Sequence, residues 1–250
     1  RGSAKAAKVY MGIGTGNPDH LTGAANRAIA DADLFLIPQK GVGKSDLADL
    51  RMQIIANIRS DARTAVFDMP TRDPALPYLE RVDDWHDKIA VLWTQTMAQH
   101  PDVTRVALLV WGDPSLYDST LRIAARVTPQ PKVTVVPGIT AVQALTAAHA
   151  IPLNTLNAPV TITTGRQLRD HGWPDGTETL VVMLDGECAF QELDGRCFDI
   201  WWGAYLGMNE QIIASGRLDE AASRIVKMRA DARANHGWIM DTYMLRMTDS

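Results

Sequence analysis

The chain has 250 residues, 46% hydrophobic and 22% charged, which is enough apolar content for a sizeable core and excludes a disordered chain. Its length is large for one domain and comfortable for two of roughly 120 residues each. The formal net charge is −4, with Lys and Arg scattered along the chain, so the clustered positive footprint of a nucleic-acid binder is missing.

Arg1-Gly2-Ser3 reads as a tag remnant. No apolar secretory segment opens the chain, and the longest apolar runs, at 106–111 and 180–184, fall well short of a bilayer span. The cysteines, Cys188 and Cys197, make no disulfide framework. Free thiols in a reducing cytosol are expected. The nearest histidine in sequence is His171, so a zinc site has little support and no metal is expected.

A strand over 9–13 enters a glycine turn, followed by a helix over 21–30 with Asp19 as its N-cap. A second strand is expected at 34–37. Apolar residues at 47, 50, 54, 55 and 58 make a helical stripe. A short strand at 65–67 precedes an irregular stretch from Pro70 to Pro77. Trp85, Ile89, Leu92, Trp93 and Met97 then mark one face of a long helix, capped by Asp83 or Asp84. A fully apolar strand at 106–111 and a helix at 121–127 complete an alternation that argues for a mostly parallel sheet.

Thr128-Pro129-Gln130-Pro131 is the best boundary, since two prolines in four residues cannot continue a helix. It divides an N-terminal α/β domain at 4–128 from a C-terminal α/β domain at 133–250. The second half is expected to carry strands at 133–136, 160–163, 179–184, 200–205 and 238–245, with helices at 141–150 and 218–232. It is richer in strands, and a mixed sheet is expected there.

Four loops carry possible chemistry. "LFLIPQKGVGKSDL" imitates the strand–GxxxxGK[ST]–helix phosphate loop through Gly43-Lys44-Ser45. The first glycine of that pattern would stand at Pro38, which has no N–H to offer a phosphate. "VYMGIGTGNPDHLT" runs a strand into Gly12, Gly14 and Gly16, where a missing Cβ lets backbone approach a ligand. Its third dinucleotide-fingerprint position is Asn17 rather than glycine. "VALLVWGDPSLY" empties a buried strand into Gly112-Asp113-Pro114, and "VVPGITA" places Thr140 at a helix start. Each turn taken singly is read equally well as plain structure. Two functional classes stay open on residues alone: a phosphate-loop NTPase and a nicotinamide-dependent oxidoreductase.

The order and spacing of "IGTGNPDHLT", "WGDPSLY", "VPGITA" and "TLVVML" resemble the tetrapyrrole (corrin and porphyrin precursor) methyltransferases, from Val9 to about Leu245. One subgroup of that family matches further. Its segments "KG..K.DL..LR", "DMP.RDP..PY", "VDDWH" and "GWIMDTY" stand here at 40–51, 68–78, 82–86 and 237–243. The resemblance implies a two-domain α/β fold, with a mostly parallel N-terminal sheet, a mixed C-terminal sheet and a cleft between them. It also implies a homodimer, S-adenosylmethionine (SAM) as cofactor, and S-adenosylhomocysteine (SAH) as its product. The implied reaction is methylation of carbon 1 of precorrin-5 with loss of acetate, the alternatives within the resemblance being another precorrin C-methyltransferase of the family or a non-catalytic tetrapyrrole-binding or sensor protein.

By motif position the resemblance gives Thr15, Gly112, Asp113, Leu116, Tyr117, Thr140, Ala141, Leu184, Leu206 and Ile239 to the cofactor. Thr15 replaces the family's usual proline. Asp113, Asp68 and His86 are candidate bases for acetate loss, although His86, beside Trp85 and off the apolar stripe, is read more readily as a solvated histidine. Precorrin carboxylates call for guanidinium and ammonium groups, and Lys40, Lys44, Arg51, Arg72 and Arg166 are the candidates.

Overall fold

The structure is a computed structural model that describes residues 7–41 and 46–248. It divides into two compact units whose sequence boundary falls between Thr140 and Ala141. Each unit is built on one five-stranded sheet.

The first unit contains β1 (Ala7–Gly12), α1 (Gly23–Asp31), β2 (Leu34–Gln39), α2 (Asp46–Ile58), β3 (Thr64–Asp68), α3 (Tyr78–Ala98), β4 (Arg105–Val110), α4 (Thr120–Ala124) and β5 (Lys132–Val136). The strands pair in parallel in the order β3-β2-β4-β1-β5. Alternate residues of the central strands feed two cores. Leu34 and Leu36 join Tyr10, Leu108 and the α3 residues Trp85, Ile89 and Trp93. Phe35 and Ile37 join Met11, Leu109 and the α1 and α2 residues Ala25, Ile29, Ile54 and Ile55. Burial on both faces explains why these strands read as continuous apolar runs.

The strand order fixes where the chain changes direction. From β1 it steps toward β3, and from β4 it steps back toward β5. Right-handed crossovers therefore send α1 and α2 to one face and α3 and α4 to the other, as the two cores confirm. Neighbouring strands β1 and β4 thus diverge at their carboxyl ends, which is the switch point where open α/β sheets bind ligands.

Several sequence expectations shift. Thr22, not Asp19, caps α1, its hydroxyl accepting from Ala25 N at 3.0 Å. Asp19 lies in a 3-10 turn that Asn17 caps and Pro18 opens. The long helix begins at Tyr78, after Pro77, so Asp83 and Asp84 are interior residues rather than caps. They pair instead with Arg126 and Lys88. The proline pair marks a turn within the first unit, because β5 beyond it pairs with β1 (Tyr10 opposite Val135). Pro38 lies inside β2 opposite Phe67, so strand occupies the place where a phosphate loop would begin. Gly43, Lys44 and Ser45 fall outside the described residues.

The second unit contains α5 (Ala141–His149), β6 (Val160–Thr164), α6 (Gly165–His171), β7 (Thr179–Met183), β8 (Phe198–Ala204), β9 (Ile212–Arg217), α7 (Leu218–His236) and β10 (Asp241–Met247). The sheet runs β6-β7-β10-β8-β9, with β6 and β7 parallel and the other pairs antiparallel. Leu180, Val182, Ile200, Trp202, Tyr243 and Leu245 pack under Leu168 of α6 and Leu218 and Ile225 of α7. Two elements had no signal in the pattern: the edge strand β9, with polar and glycine residues in its second half, and the single-face helix α6. Helix α7 runs on to His236 and stops at Gly237, whose left-handed backbone (φ 75°) lets its N–H reach Arg233 O.

One buried ion pair ties α7 to this sheet. Arg229 Nε donates to Asp241 Oδ2 at 2.9 Å, the side chains being 11% and 9% exposed. Trp202 Nε1 donates to the same oxygen at 3.0 Å. Asp241→Ala strands a buried guanidinium and an indole N–H, so it should lower the unfolding free energy by about 3 kcal/mol in urea denaturation.

Candidate functional site

The three glycine turns of the first unit converge. A Cβ on Gly138 would lie 2.1 Å from Gly112 O and 2.7 Å from Gly12 Cα. A Cβ on Gly12 would lie 2.5 Å from Gly112 O and 2.6 Å from Gly138 N. The contacts are backbone against backbone, so no side chain can yield and only glycine fits. Gly14 and Gly112, both at φ +68°, form an isolated bridge. Gly112 N donates to Gly14 O at 2.8 Å, and Gly14 N donates to Gly112 O at 3.3 Å. The carboxyl ends of β1, β4 and β5 thereby close into one backbone floor at the switch point.

Asp113 fastens this floor. Its Oδ2 accepts from Gly138 N at 2.9 Å, joining the β4 turn to the β5 turn. Its Oδ1 accepts from Ser115 N at 2.8 Å and Ser115 Oγ at 2.6 Å. Burial raises the carboxyl's proton affinity, but the bonds from Ser115 and Gly138 outweigh it and hold the group below the ordinary carboxylate range. An ionised, fully engaged carboxylate is a clamp and a poor base.

Thr15, half-buried on the first turn, hydrogen-bonds through Oγ1 to His20 Nδ1 at 2.7 Å. His20 packs on the floor itself, since a Cβ on Gly14 would come within 3.1 Å of His20 Cβ. Sequence reasoning passed over His20; its place inside the first glycine turn was the available signal. Leu116 N donates to Asp113 O at 3.2 Å, and Tyr117 follows exposed at φ 48°. Thr140 Cα stands 3.6 Å from where a Gly112 Cβ would be. The structure therefore gathers Thr15, Gly112, Asp113, Leu116, Tyr117 and Thr140 around one floor, and Ala141 opens α5 next in sequence.

In the second unit Leu184 follows β7 in left-handed backbone (φ 53°) with 66% of its surface exposed. Behind it Asp185 is buried, accepting from Glu187 N at 3.0 Å, Ala189 N at 2.7 Å and Tyr243 Oη at 2.6 Å. Leu206 follows Tyr205, whose N–H donates to Met240 O at 2.9 Å and whose hydroxyl donates to Trp238 O at 2.6 Å. These bonds set the Leu206 turn beside the segment that carries Ile239. The "GWIMDTY" run thus supplies the fastenings of both turns.

The remaining candidates scatter. Asp68 ends β3, the outer strand, three strand spacings or about 14 Å from β1. His86 is buried at 3% exposure rather than solvated, and its Nε2 has no partner among the described residues. Its place on the core-facing side of α3, next to Trp85, encloses it. Burial, with Arg126 and Arg122 nearby, pushes its pKa down. A base must touch the proton it takes, and this ring nitrogen is sealed from ligand. Trp85 Nε1 donates to Pro70 O at 2.8 Å, and the Arg72 guanidinium lies 4.2 Å from the Trp85 ring centroid. Two of the subgroup segments therefore meet.

Arg51 Nε donates to Leu109 O at 3.1 Å, and its guanidinium sits 5.1 Å from the Trp111 ring centroid. Burial lowers its pKa to about 10. Lys40 is exposed after β2, and Arg166 is exposed on α6. Lys44 lies outside the described residues.

Residues 9–222 match the family model of the Tetrapyrrole (Corrin/Porphyrin) Methylases. A precorrin-6A synthase [deacetylating] from Sinorhizobium sp is 47% identical over 246 residues, spanning 95% of this chain and 94% of that protein. The crystal structure of a cobalamin synthesis related protein (CobF) from Corynebacterium diphtheriae superposes with TM-score 0.84 at 37% identity, over 98% of this chain and all of that one. A uroporphyrin-III C-methyl transferase from Thermus thermophilus, complexed with S-adenyl homocysteine, shares the fold at TM-score 0.60 and 16% identity, over 96% of this chain and 97% of that one. The chain belongs to the tetrapyrrole methylase family. Among the described residues no helix is long and apolar enough to cross a membrane.

Asp113 contributes stability while ionised, because its folded pKa lies below its unfolded one. That contribution is present above the ordinary carboxylate pKa of about 4 and fades as pH falls below it. Asp113→Asn should lower the thermal midpoint at pH 7, and the gap to wild type should close below about pH 4 in a calorimetric pH series.

Proposed function

We propose that this chain catalyses the SAM-dependent methylation of carbon 1 of precorrin-5, releasing the extruded two-carbon unit as acetate and giving precorrin-6A. The observation that carries this reading is the 47% identity to a precorrin-6A synthase [deacetylating] over 95% of the chain. The site fits the chemistry. Bound SAM supplies an electrophilic methyl group, and the electron-rich macrocycle supplies the carbon nucleophile, so methyl transfer needs no nucleophilic side chain. The protein's part is orientation, which near-attack placement makes worth roughly 7–11 kcal/mol.

A side-chain-free floor at Gly12, Gly14, Gly112 and Gly138 lets a ligand approach backbone closely. On this reading Thr15, Gly112, Asp113, Leu116, Tyr117, Thr140 and Ala141 hold the cofactor's polar end. The apolar side chains of Leu184, Leu206 and Ile239 contact adenine. Asp113 acts by keeping the β4 and β5 turns together.

Precorrin carboxylates fall to Lys40, Lys44, Arg51, Arg72 and Arg166. Arg72 is the strongest of these: it is exposed, its guanidinium lies over the Trp85 ring, and Trp85 is itself anchored to Pro70. Arg51 gives Nε to the Leu109 carbonyl, and on this reading its terminal nitrogens meet a carboxylate. We further place the protein in the cytosol as a homodimer. The unpaired Cys188 and Cys197 suit a reducing compartment, and Val133 and Val135 lie exposed on edge strand β5.

Purified protein given precorrin-5 and SAM should form SAH and acetate in equal amounts, and mass spectrometry should show a product that has gained a methyl and lost an acetyl group. Stabilisation by ATP–Mg²⁺ or NADPH alone, with no SAH formed, would contradict the reading. Arg72→Ala should raise KM for precorrin-5 about tenfold with kcat little changed, as loss of a charge-assisted bond made equally in ground and transition states requires.

A further inference from the structure

Acetate release needs water to add to an acetyl carbonyl, and a base must take the water's proton. The three bases that sequence reasoning offers fare badly. Asp113 has both oxygens engaged and is held ionised by its donors. The His86 nitrogen is sealed in the core. Asp68 sits on the outer strand β3, about 14 Å from β1.

One imidazole stands at the switch point. His20 packs against Gly14, the glycine bridged to Gly112, and is half-buried rather than enclosed. Its Nδ1 is hydrogen-bonded to Thr15 Oγ1 at 2.7 Å, and its Nε2 makes no hydrogen bond among the described residues. In the tautomer whose Nδ1–H donates to the threonine hydroxyl, Nε2 carries the ring's lone pair. That is the arrangement of an oriented base: one nitrogen anchored, the other free.

We propose that His20, oriented by Thr15, is the general base for removal of the acetyl group. The inference rests on the reaction proposed above and adds to it the residue that activates water. Water gives a proton to His20 Nε2 as its oxygen bonds to the acetyl carbonyl carbon. The bond between that carbon and ring carbon 1 then breaks, its electron pair staying on the macrocycle, and acetic acid leaves and ionises. The electron pair on carbon 1 takes the methyl group. In sum, one water and one SAM are consumed, and acetate, SAH and two protons are released.

His20→Asn is the informative change, since the Asn amide N–H can still donate to Thr15 while the Nε2 base is lost. The whole protein, given precorrin-5 and SAM in single-turnover mixing, should release acetate about 10²–10⁴-fold more slowly than wild type. KM for SAM and the thermal shift given by SAH should be unchanged, which a merely structural role for His20 would not allow. Thr15→Val, which removes the orienting bond and keeps the base, should give a smaller loss. Acetate release by His20→Asn at the wild-type rate would overturn the inference. Failure of wild-type protein to release acetate or SAH would instead sink the reaction on which it rests, so the two failures are distinguishable.

Discussion

Everything at the ligand-facing edge of the first sheet depends on three peptide backbones approaching closer than any side chain permits. Gly12, Gly112 and Gly138 end or follow β1, β4 and β5, and a Cβ on either Gly12 or Gly138 would fall less than 3 Å from a neighbour's backbone. The strand order puts these ends together because β1 lies between β4 and β5. The crossovers then carry the chain away to opposite faces. A parallel sheet of this topology therefore creates the site as a by-product of its own connectivity.

The floor needs fastening, and Asp113 supplies it at the cost of its own reactivity. A carboxylate that accepts from Gly138 N, Ser115 N and Ser115 Oγ is stabilised in its ionised form. The second unit uses the same device, with Asp185 holding the turn after Leu184 and Tyr205 holding the turn at Leu206. Methyl transfer asks little of side-chain chemistry and much of position, and these are positional devices. Acetate removal does need a proton acceptor. Once Asp113, Asp68 and His86 are set aside on geometry, the Thr15–His20 pair is the acceptor that sits against the floor.

Much of this was legible in the sequence, for identifiable reasons. Strands β2 and β4 announced themselves because burial on both faces leaves only apolar residues. The glycine turns were visible as motifs, but their mutual contact was not, since Gly12, Gly112 and Gly138 are brought together by strand order and not by spacing. The clamp made by Asp113 is hidden on the same ground: its partner Gly138 lies 25 residues away. His86 reads as solvated because it lies off the apolar stripe through Trp85, Ile89 and Trp93, whereas the buried face of α3 is wider and takes in His86 and Ala90 as well. The proline pair near 130 suggested a domain edge, because prolines mark turns without saying which sheet the next strand joins. Nothing in the spacing of the first glycine motif shows that His20 folds back against Gly14.

The central claim is that the three-glycine contact shapes the cofactor floor, and SAH affinity of Gly138→Ala tests it most directly. The added methyl would sit 2.1 Å from Gly112 O, so the β5 turn must move away from the β4 turn and Asp113 must lose its bond to Gly138 N. Calorimetric titration of folded protein should show SAH binding at least tenfold weaker than wild type, a loss of about 1.4 kcal/mol or more. Wild-type SAH affinity in Gly138→Ala would contradict the account.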